Sequence, residues 1–399
     1  MASMNNNGDQ NAIDDLLSRY VENTFPSRDR IKEILSSGKK LTFYLGVDPT
    51  GPDIHLGNAT NLLWLKKLIK LRHRAIVLVG DFTAQVGDPT DKESVRKDLT
   101  EEEIAKNMET YVSQAEKILP KGSFEIRYNS QWYKKMGFKD VISLTKRFTV
   151  QQMIVRDMFQ ERLKKDRPIH IHEFIYPIMQ GYDSVAMEVD GEVGGNDQTF
   201  NMLVGRDLVR DILNKEKIVI ATKLLIDPTT NKKIMNKSEG RYISLNDTSF
   251  DMFGKVMAMP DSTIIPLFEN ATEISQQKIE EFKKIIASGE NPNKLKKELA
   301  YEIVKMYHGE EEASKAQDEF SKIFSNKELP TDMPEWEGGL TPLADLLVKA
   351  GLVQSKTEAK RIIEQKGVTI NNEEVENWNQ QVKKGDVIKV GPRKFLRIK

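Results

Sequence analysis

The chain has 399 residues, with 60 Lys+Arg against 60 Asp+Glu, five His and no Cys. The missing cysteines exclude disulfides, thiolate zinc sites, iron–sulfur clusters and thiol nucleophiles. No apolar run reaches the roughly 18 residues that span a bilayer, and the polar start MASMNNNGDQ reads as a flexible leader, not a signal peptide.

Up to about residue 223, short apolar runs alternate with helical periodicity. Strands are predicted at 41–47, 75–82, 124–128 and 218–221. An amphipathic helix over 61–71 carries Leu62, Leu65, Leu68 and Ile69 on one face. Strands alternating with helices predict βαβ units around a mostly parallel sheet. Between 224 and 335 the strand signals fade. Helical spacing over 274–286 and 295–307, broken by Asn291-Pro292, predicts a small helical domain.

The last stretch, 336–399, has its own pattern. Leu343, Leu346 and Leu347 mark a short helix ended near Gly351. Ser355 and Glu358 have capping-box spacing, and Gly367 is placed to close the helix behind them. Short strands at 368–370, 387–390 and 395–398, with Asn371-Asn372 as a turn, complete a compact α+β module. Residues 340–399 hold 12 Lys+Arg against 7 Asp+Glu, so a basic end (+5) balances an acidic body (−5). A solvated surface accounts for such a charge as well as an RNA contact does; the capped, basic module favours RNA.

Five segments have compositions suited to chemistry. The first runs from Tyr44 to Asn58, YLGVDPTGPDIHLGN, where a strand ends, a Pro/Gly-rich loop follows and a helix opens near Gly57. Helix N-termini beyond strand ends offer amides to phosphates, and a histidine there can donate to a developing charge. Taken alone, a capped helix start explains it more simply. Lys237 and Ser238 lie in NKKIMNKSEG, a Lys/Asn/Ser/Gly-dense loop suited to neutralising a departing pyrophosphate, or to an ordinary basic turn. Tyr176, Gln180 and Asp183 share one helical face. Gly194-Gly195-Asn196-Asp197-Gln198 suits close approach by a sugar or amide. Asp88, Lys92 and Arg96 are spaced along a loop after the strand at 75–82. His170 and His172, with one adjacent carboxylate in Glu173, read as structural.

Together these segments resemble the class I aminoacyl-tRNA synthetases of the bacterial tyrosyl type, over almost the whole chain. His55-Leu-Gly-Asn58 is similar to the family's HIGH signature and Met235-Asn-Lys-Ser238 to its KMSKS loop. Residues 194–198 resemble GGSDQ, and Tyr176-x3-Gln180-x2-Asp183 resembles the amino-acid-binding helix. The resemblance implies a Rossmann-like parallel-sheet catalytic domain at 1–223 with a dimerisation insertion. It implies a helical domain at 224–335 and an S-four-type RNA-binding domain at 336–399. The implied reaction joins tyrosine to ATP, then moves the tyrosyl group to the 3′ end of tRNA(Tyr), in the cytoplasm. ATP enters with Mg2+ as substrate, no protein-held metal is implied, and the enzyme is expected to be a homodimer.

By the same resemblance, Tyr44 and Asp183 bind the substrate phenol. Asp88, Tyr176 and Gln180 bind its ammonium, and Gln198 lies near its carboxylate. Gly46, Asp48, Gly57, Asn58, Asp197 and Met235 belong to the ATP site, with Asp197 on the ribose. Thr50, His55, Lys237 and Ser238, along with Asp48, act on phosphates, and Lys92 and Arg96 close over pyrophosphate. Three positions depart from the family pattern: Ile234 replaces the first KMSKS lysine, Asn236 replaces its serine, and Asp91 stands where glycine is usual. Two alternatives stay open, the related tryptophan enzyme and a synthetase-derived RNA-binding protein without aminoacylation.

Overall fold

The fold is that of a computed structural model, which describes residues 6–90, 99–235, 242–324, 333–338, 341–391 and 394–399. It divides into two compact units. One comprises the chain up to Asp247 together with Met259–Tyr307, and the other Thr248–Ala258 with His308–Lys399. The helical stretch expected at 224–335 is therefore shared between units instead of packing as one body. No helix among the described residues is long and apolar enough to cross a membrane.

The first unit is built on a six-stranded sheet of β1 (Val21–Phe25), β2 (Thr42–Val47), β3 (Arg74–Val79), β4 (Phe124–Tyr128), β5 (Gly191–Gly195) and β6 (Ile218–Thr222). Its spatial order is β1-β6-β5-β2-β3-β4. All neighbours run parallel except β1, which pairs antiparallel with β6. The chain moves outward from β2 through β3 to β4, then returns to place β5 on the other side of β2. That reversal makes the β2/β5 boundary a topological switch point, where a crevice opens beyond the strands' carboxyl ends.

Two strands of this sheet escaped the sequence pattern. β1 reads VENTF, too polar to stand out. β5 reads GEVGG, which looks like a turn, yet it is almost wholly buried. Its Gly191 lies under Phe43, whose ring would come within 2.6 Å of any Cβ placed there, so the strand needs glycine to pass. The N-terminal residues also differ from a flexible leader, since a helix begins at Asn6 and buries Ile13, Leu16 and Leu17.

The helix Leu56–Lys70 is buried on more than the one expected face. Trp64 packs on Phe43 of the sheet with ring centroids 5.3 Å apart, and its indole donates to Leu16 O on the other side. Thr60 donates to Asn270 O, so the helix is sandwiched between the sheet and two further helical segments. Ile69 is only half-buried. The helices Ile264–Ala271, Gln276–Ala287 and Asn293–His308 complete this unit, and the Asn291 side chain accepts from the Asn293 amide at the expected turn.

Between β4 and β5 lies a buried ion pair, in which Arg162 Nη1 donates to both Glu173 oxygens at 2.7 and 2.9 Å. Glu173 also accepts from the His170 amide and so caps the helix Ile171–Ala186. Removing one partner of a buried pair strands the other charge. Arg162→Met is expected to cost roughly 3–5 kcal/mol by urea unfolding, most of it recovered in Arg162→Met/Glu173→Leu. An unchanged midpoint in the single variant would contradict this.

A two-stranded hairpin, β7 (Ile226–Asp227) and β8 (Lys232–Lys233), follows the main sheet. The second unit contains the helices Ser249–Met257 and Glu310–Phe324, joined through Phe253 and Phe320 at 5.2 Å. It ends in a sheet of β9 (Glu335–Trp336), β10 (Val368–Ile370), β11 (Glu373–Glu374), β12 (Val387–Val390) and β13 (Lys394–Ile398), in the order β11-β10-β12-β13-β9. The helices Leu343–Lys349 and Lys356–Glu364 cover it, burying Leu343, Leu346, Leu347, Ala359 and Ile363 against Val368 and Ile388. Asn371 and Asn372 both have positive φ, as a tight hairpin turn requires.

Two details of this module differ from expectation. Ser355 accepts from the Glu358 amide, but Glu358 reaches back to the Gln354 amide, one residue beyond the box. The left-handed residue that closes the helix is Lys366 (φ 58°), not Gly367. The closing bonds, Lys366 N to Ile363 O and Gly367 N to Ile362 O, place the reversal at that lysine.

Candidate active site

Of the predicted site residues, Tyr44, Asp48, Asp88, Tyr176, Gln180, Asp183 and Gln198 come together beside the switch point. Tyr44 projects from β2 beside Glu192 of β5, its partner in register. The Tyr44 hydroxyl lies 3.0 Å from Ser184 Oγ and 3.4 Å from Gln180 O. Burial raises its pKa, and the Glu192 and Asp183 carboxylates add to the rise. Asp183, on the helix Ile171–Ala186, is 3% exposed. It accepts from Trp132 Nε1 at 2.9 Å and Asn129 Nδ2 at 3.4 Å. Burial pushes this carboxyl well above the usual aspartate range, against those donors. A buried acceptor beside a buried phenol is arranged to receive a further hydroxyl.

Two turns earlier on the same helix, the Tyr176 hydroxyl donates to Asp48 Oδ2 at 2.8 Å, while Thr83 donates to Asp48 Oδ1 at 2.8 Å. Burial raises the Tyr176 pKa as well, with Asp48 and Asp88 contributing. Asp88 accepts from the Thr90 amide and hydroxyl and, at 2.8 Å, from Gln198 Nε2. Gln180 donates to Glu192 Oε1 at 3.0 Å. The residues expected around a substrate ammonium, Asp88, Tyr176 and Gln180, thus belong to two connected polar clusters at one strand end.

The helix Leu56–Lys70 opens at the same end. His55 Nδ1 accepts from the Gly57 amide at 3.1 Å, and Asn58 accepts from the His55 amide at 3.3 Å. With Nδ1 accepting, the neutral ring carries its proton on Nε2, which makes that nitrogen a donor. Asn58 thus completes the capping box whose N-cap is His55. The Thr50 amide donates to Asp48 O, closing the loop between them. Gly46 is exposed on β2.

The segment 242–245 runs back along this start, with Leu56 N donating to Ile243 O, Leu245 N to Ile54 O, and His55 bridged to Ser244. On the near side, Met235 is buried and its sulfur accepts from the Ile243 amide. Both flanks of 236–241 are thus fixed at the helix start. Lys237, Ser238, Asn236, Lys92, Arg96 and Asp91 lie outside the described residues.

The irregular lysine position resolves in part. Ile234, at the family's lysine position, is 8% exposed and packs inward. Lys233 instead reaches Asp197, with Nζ 2.6 Å from Oδ2. Asp197 sits in a single turn of 3₁₀ helix, Asn196–Gln198, directly after β5.

Sequence reasoning missed Asn129, Trp132, Glu192, Asn201 and Lys217. Glu192 and Lys217 form a buried ion pair, the lysine 0% and the glutamate 1% exposed. Burial draws the Lys217 ammonium below its usual range, while Glu192 holds it up. A charged residue inside the strand pattern GEVGG was the available signal.

The matches to known proteins accord with this geometry. A family model described as tRNA synthetases class I (W and Y) matches residues 36–325, and the S4 domain model matches 341–388. The tyrosine–tRNA ligase of Carboxydothermus hydrogenoformans is 42% identical over 96% of this chain and 97% of its own. That of Thermotoga maritima is 42% identical over 96% of each. The solved tyrosyl-tRNA synthetase of Archaeoglobus fulgidus complexed with L-tyrosine shares the fold, with a TM-score of 0.61. It is 20% identical, over 77% of this chain and 99% of that one. A parallel sheet with its polar clusters at the switch point, matched nearly end to end by these relatives, belongs to a class I tRNA synthetase of the tyrosine–tRNA ligase family, with an S4 domain at 341–388.

Proposed function

We propose that the chain activates tyrosine with ATP and transfers the tyrosyl group to the 3′ end of tRNA(Tyr). The observation that carries this reading is the buried neighbourhood of Tyr44 and Asp183, a phenol and a carboxyl group placed for a hydroxyl-bearing side chain. In the first step the substrate carboxylate attacks the α-phosphorus of ATP and pyrophosphate leaves with the bonding electron pair. In the second, a ribose hydroxyl of the tRNA attacks the tyrosyl carbonyl and AMP departs. The attacking carboxylate is already ionised, so positioning and charge stabilisation carry the catalysis.

In this reading Asp88, Tyr176 and Gln180 take the ammonium, Gln198 lies near the carboxylate and Asp197 holds the ribose once Lys233 yields it. Gly46, Asp48, Gly57, Asn58 and Met235 form the rest of the nucleotide site. His55, Thr50, Lys237 and Ser238 act on the phosphates, and Lys92 and Arg96 on the pyrophosphate. ATP arrives as its Mg2+ complex. The basic S4 module supports contact with tRNA, and a tRNA-charging enzyme works where translation runs, in the cytoplasm.

A homodimer belongs to the same proposal. Phe138, Val150, Val155, Leu163 and Ile171 are 51–81% exposed, all between β4 and β5, an apolar content high for a surface facing water. Phe138→Asp/Ile171→Asp is expected to halve the mass measured by light scattering. A wild-type monomer would refute the dimer.

ATP–pyrophosphate exchange with a panel of amino acids tests the activity. Exchange with tyrosine is expected; exchange with tryptophan alone sinks the assignment. Absence of exchange, with RNA binding retained, favours the non-catalytic alternative.

A further inference from the structure

A continuous hydrogen-bonded chain runs behind the site, from Asp88 through Gln198, Asn201, Gln180 and Glu192 to Lys217. Gln198 Nε2 donates to Asp88 at 2.8 Å. Asn201 Nδ2 donates to both glutamine oxygens, to Gln198 at 3.0 Å and to Gln180 at 2.9 Å. Gln180 Nε2 donates to Glu192 Oε1 at 3.0 Å, and Lys217 Nζ donates to Glu192 Oε2.

The orientation of every amide in this chain follows from its ends. An ionised carboxylate only accepts, so Asp88 and Glu192 each force the neighbouring glutamine to turn its NH2 outward. Both glutamine oxygens then face inward, toward Asn201, whose two N–H groups supply one bond to each. Nothing in the middle sets this direction, because each amide could be reversed if its terminal carboxylate lost its charge.

Lys217 closes the inner end of this chain as the ion-pair partner of Glu192. Its ammonium is wholly buried and also donates to Met202 O at 3.2 Å. Room for it comes from Gly205 of the facing helix, where a Cβ would stand 2.5 Å from Nζ. The same ammonium lies 5.8 Å from the centroid of the Tyr44 ring, so it backs the phenol end of the site as well.

We infer that Lys217, Glu192 and Asn201 are positioning residues for the amino acid: together they fix the orientation of the Gln180 amide, so that the lone pair of its oxygen not taken by Asn201 is left for the substrate ammonium. This rests on the proposed tyrosine-activating function. A reversed Gln180 would present its NH2 to the ammonium, donor against donor. Lys217, Glu192 and Asn201 therefore select for an α-ammonium without touching the substrate.

Three full-length proteins test it by pyrophosphate exchange: wild type, Glu192→Leu/Lys217→Met, which removes the pair as a neutral unit, and the isosteric Asn201→Asp. Replacing a buried pair by apolar groups of similar volume commonly preserves folding. Each variant is expected to raise the tyrosine KM about tenfold or more, with the ATP KM within about twofold of wild type. Competitive inhibition by 3-(4-hydroxyphenyl)propanoate, which lacks the ammonium, is expected to stay unchanged. An unchanged tyrosine KM in a folded variant overturns the inference. So does equal weakening of tyrosine and the propanoate, because that marks a structural role. If the double variant does not fold, Asn201→Asp alone decides. A wild type without tyrosine-dependent exchange defeats the functional reading itself, and this inference with it.

Discussion

Asp183→Asn is expected to lower kcat/KM for tyrosine by about 10²-fold or more while hardly changing that for phenylalanine. The carboxylate is buried, and its indole and amide donors hold it in place, so an amide of the same shape keeps the pocket's volume. What it removes is the charged acceptor for the substrate hydroxyl. Phenylalanine has no hydroxyl to lose, so the two substrates converge. Equal losses for both would show instead that the pocket had collapsed.

The pH dependence has a definite sign. Burial raises the Asp183 pKa in the folded protein, so folding favours its protonated form. The stability this provides is present below the ordinary aspartate pKa and is lost as pH rises through the raised folded value. Tyrosine binding runs the other way, because the acceptor must be ionised. Tyrosine affinity should fall as pH drops through the raised pKa, and Asp183→Asn should abolish that acid limb. Tyrosine titrations over pH from the ordinary aspartate range upward, paired with phenylalanine as a control, would reveal it.

Lys237→Ala is expected to slow adenylate formation by about 10²–10³-fold, the usual cost of removing one donor to a transition-state charge. Tyrosine binding should be unaffected. Structural support comes from the flanks of its loop: Met235 is buried on one side, and 242–245 is bonded along 54–56 on the other, at the helix start bearing His55. Single-turnover kinetics separate the rate from the binding. A pure loss of tyrosine affinity would refute a phosphate role for Lys237.

The legible parts of this protein were those whose signal is local. β2, β3, β4 and β6 carry apolar runs that read as strands, and the terminal module announces itself by leucine spacing and charge. β5 did not, because its identity depends on Phe43, a residue far away in sequence that closes over Gly191. The helix Leu56–Lys70 was mistaken for one-faced because its second face meets Leu16 and Asn270, partners no window around the helix contains. The site followed the same division. Tyr176, Gln180 and Asp183 share a helix and could be seen together. Their supports Trp132, Asn129, Asn201 and Lys217 come from other elements, and only the sheet topology assembles them.

The ladder between β2 and β5 is only two residue pairs long, Phe43 with Gly191 and Tyr44 with Glu192. Tyr44 sits on that short seam, whose two sides are far apart in the chain. On a ribosome, β2 emerges long before its partner. The growing polypeptide therefore passes through a period with a nearly complete β2–β3–β4 half and no capacity to bind amino acid. On the proposed site, full recognition of tyrosine needs Gln198 and its supporting residue Asn201 on the helix Thr199–Leu213, so substrate cannot assist the folding of the first strands.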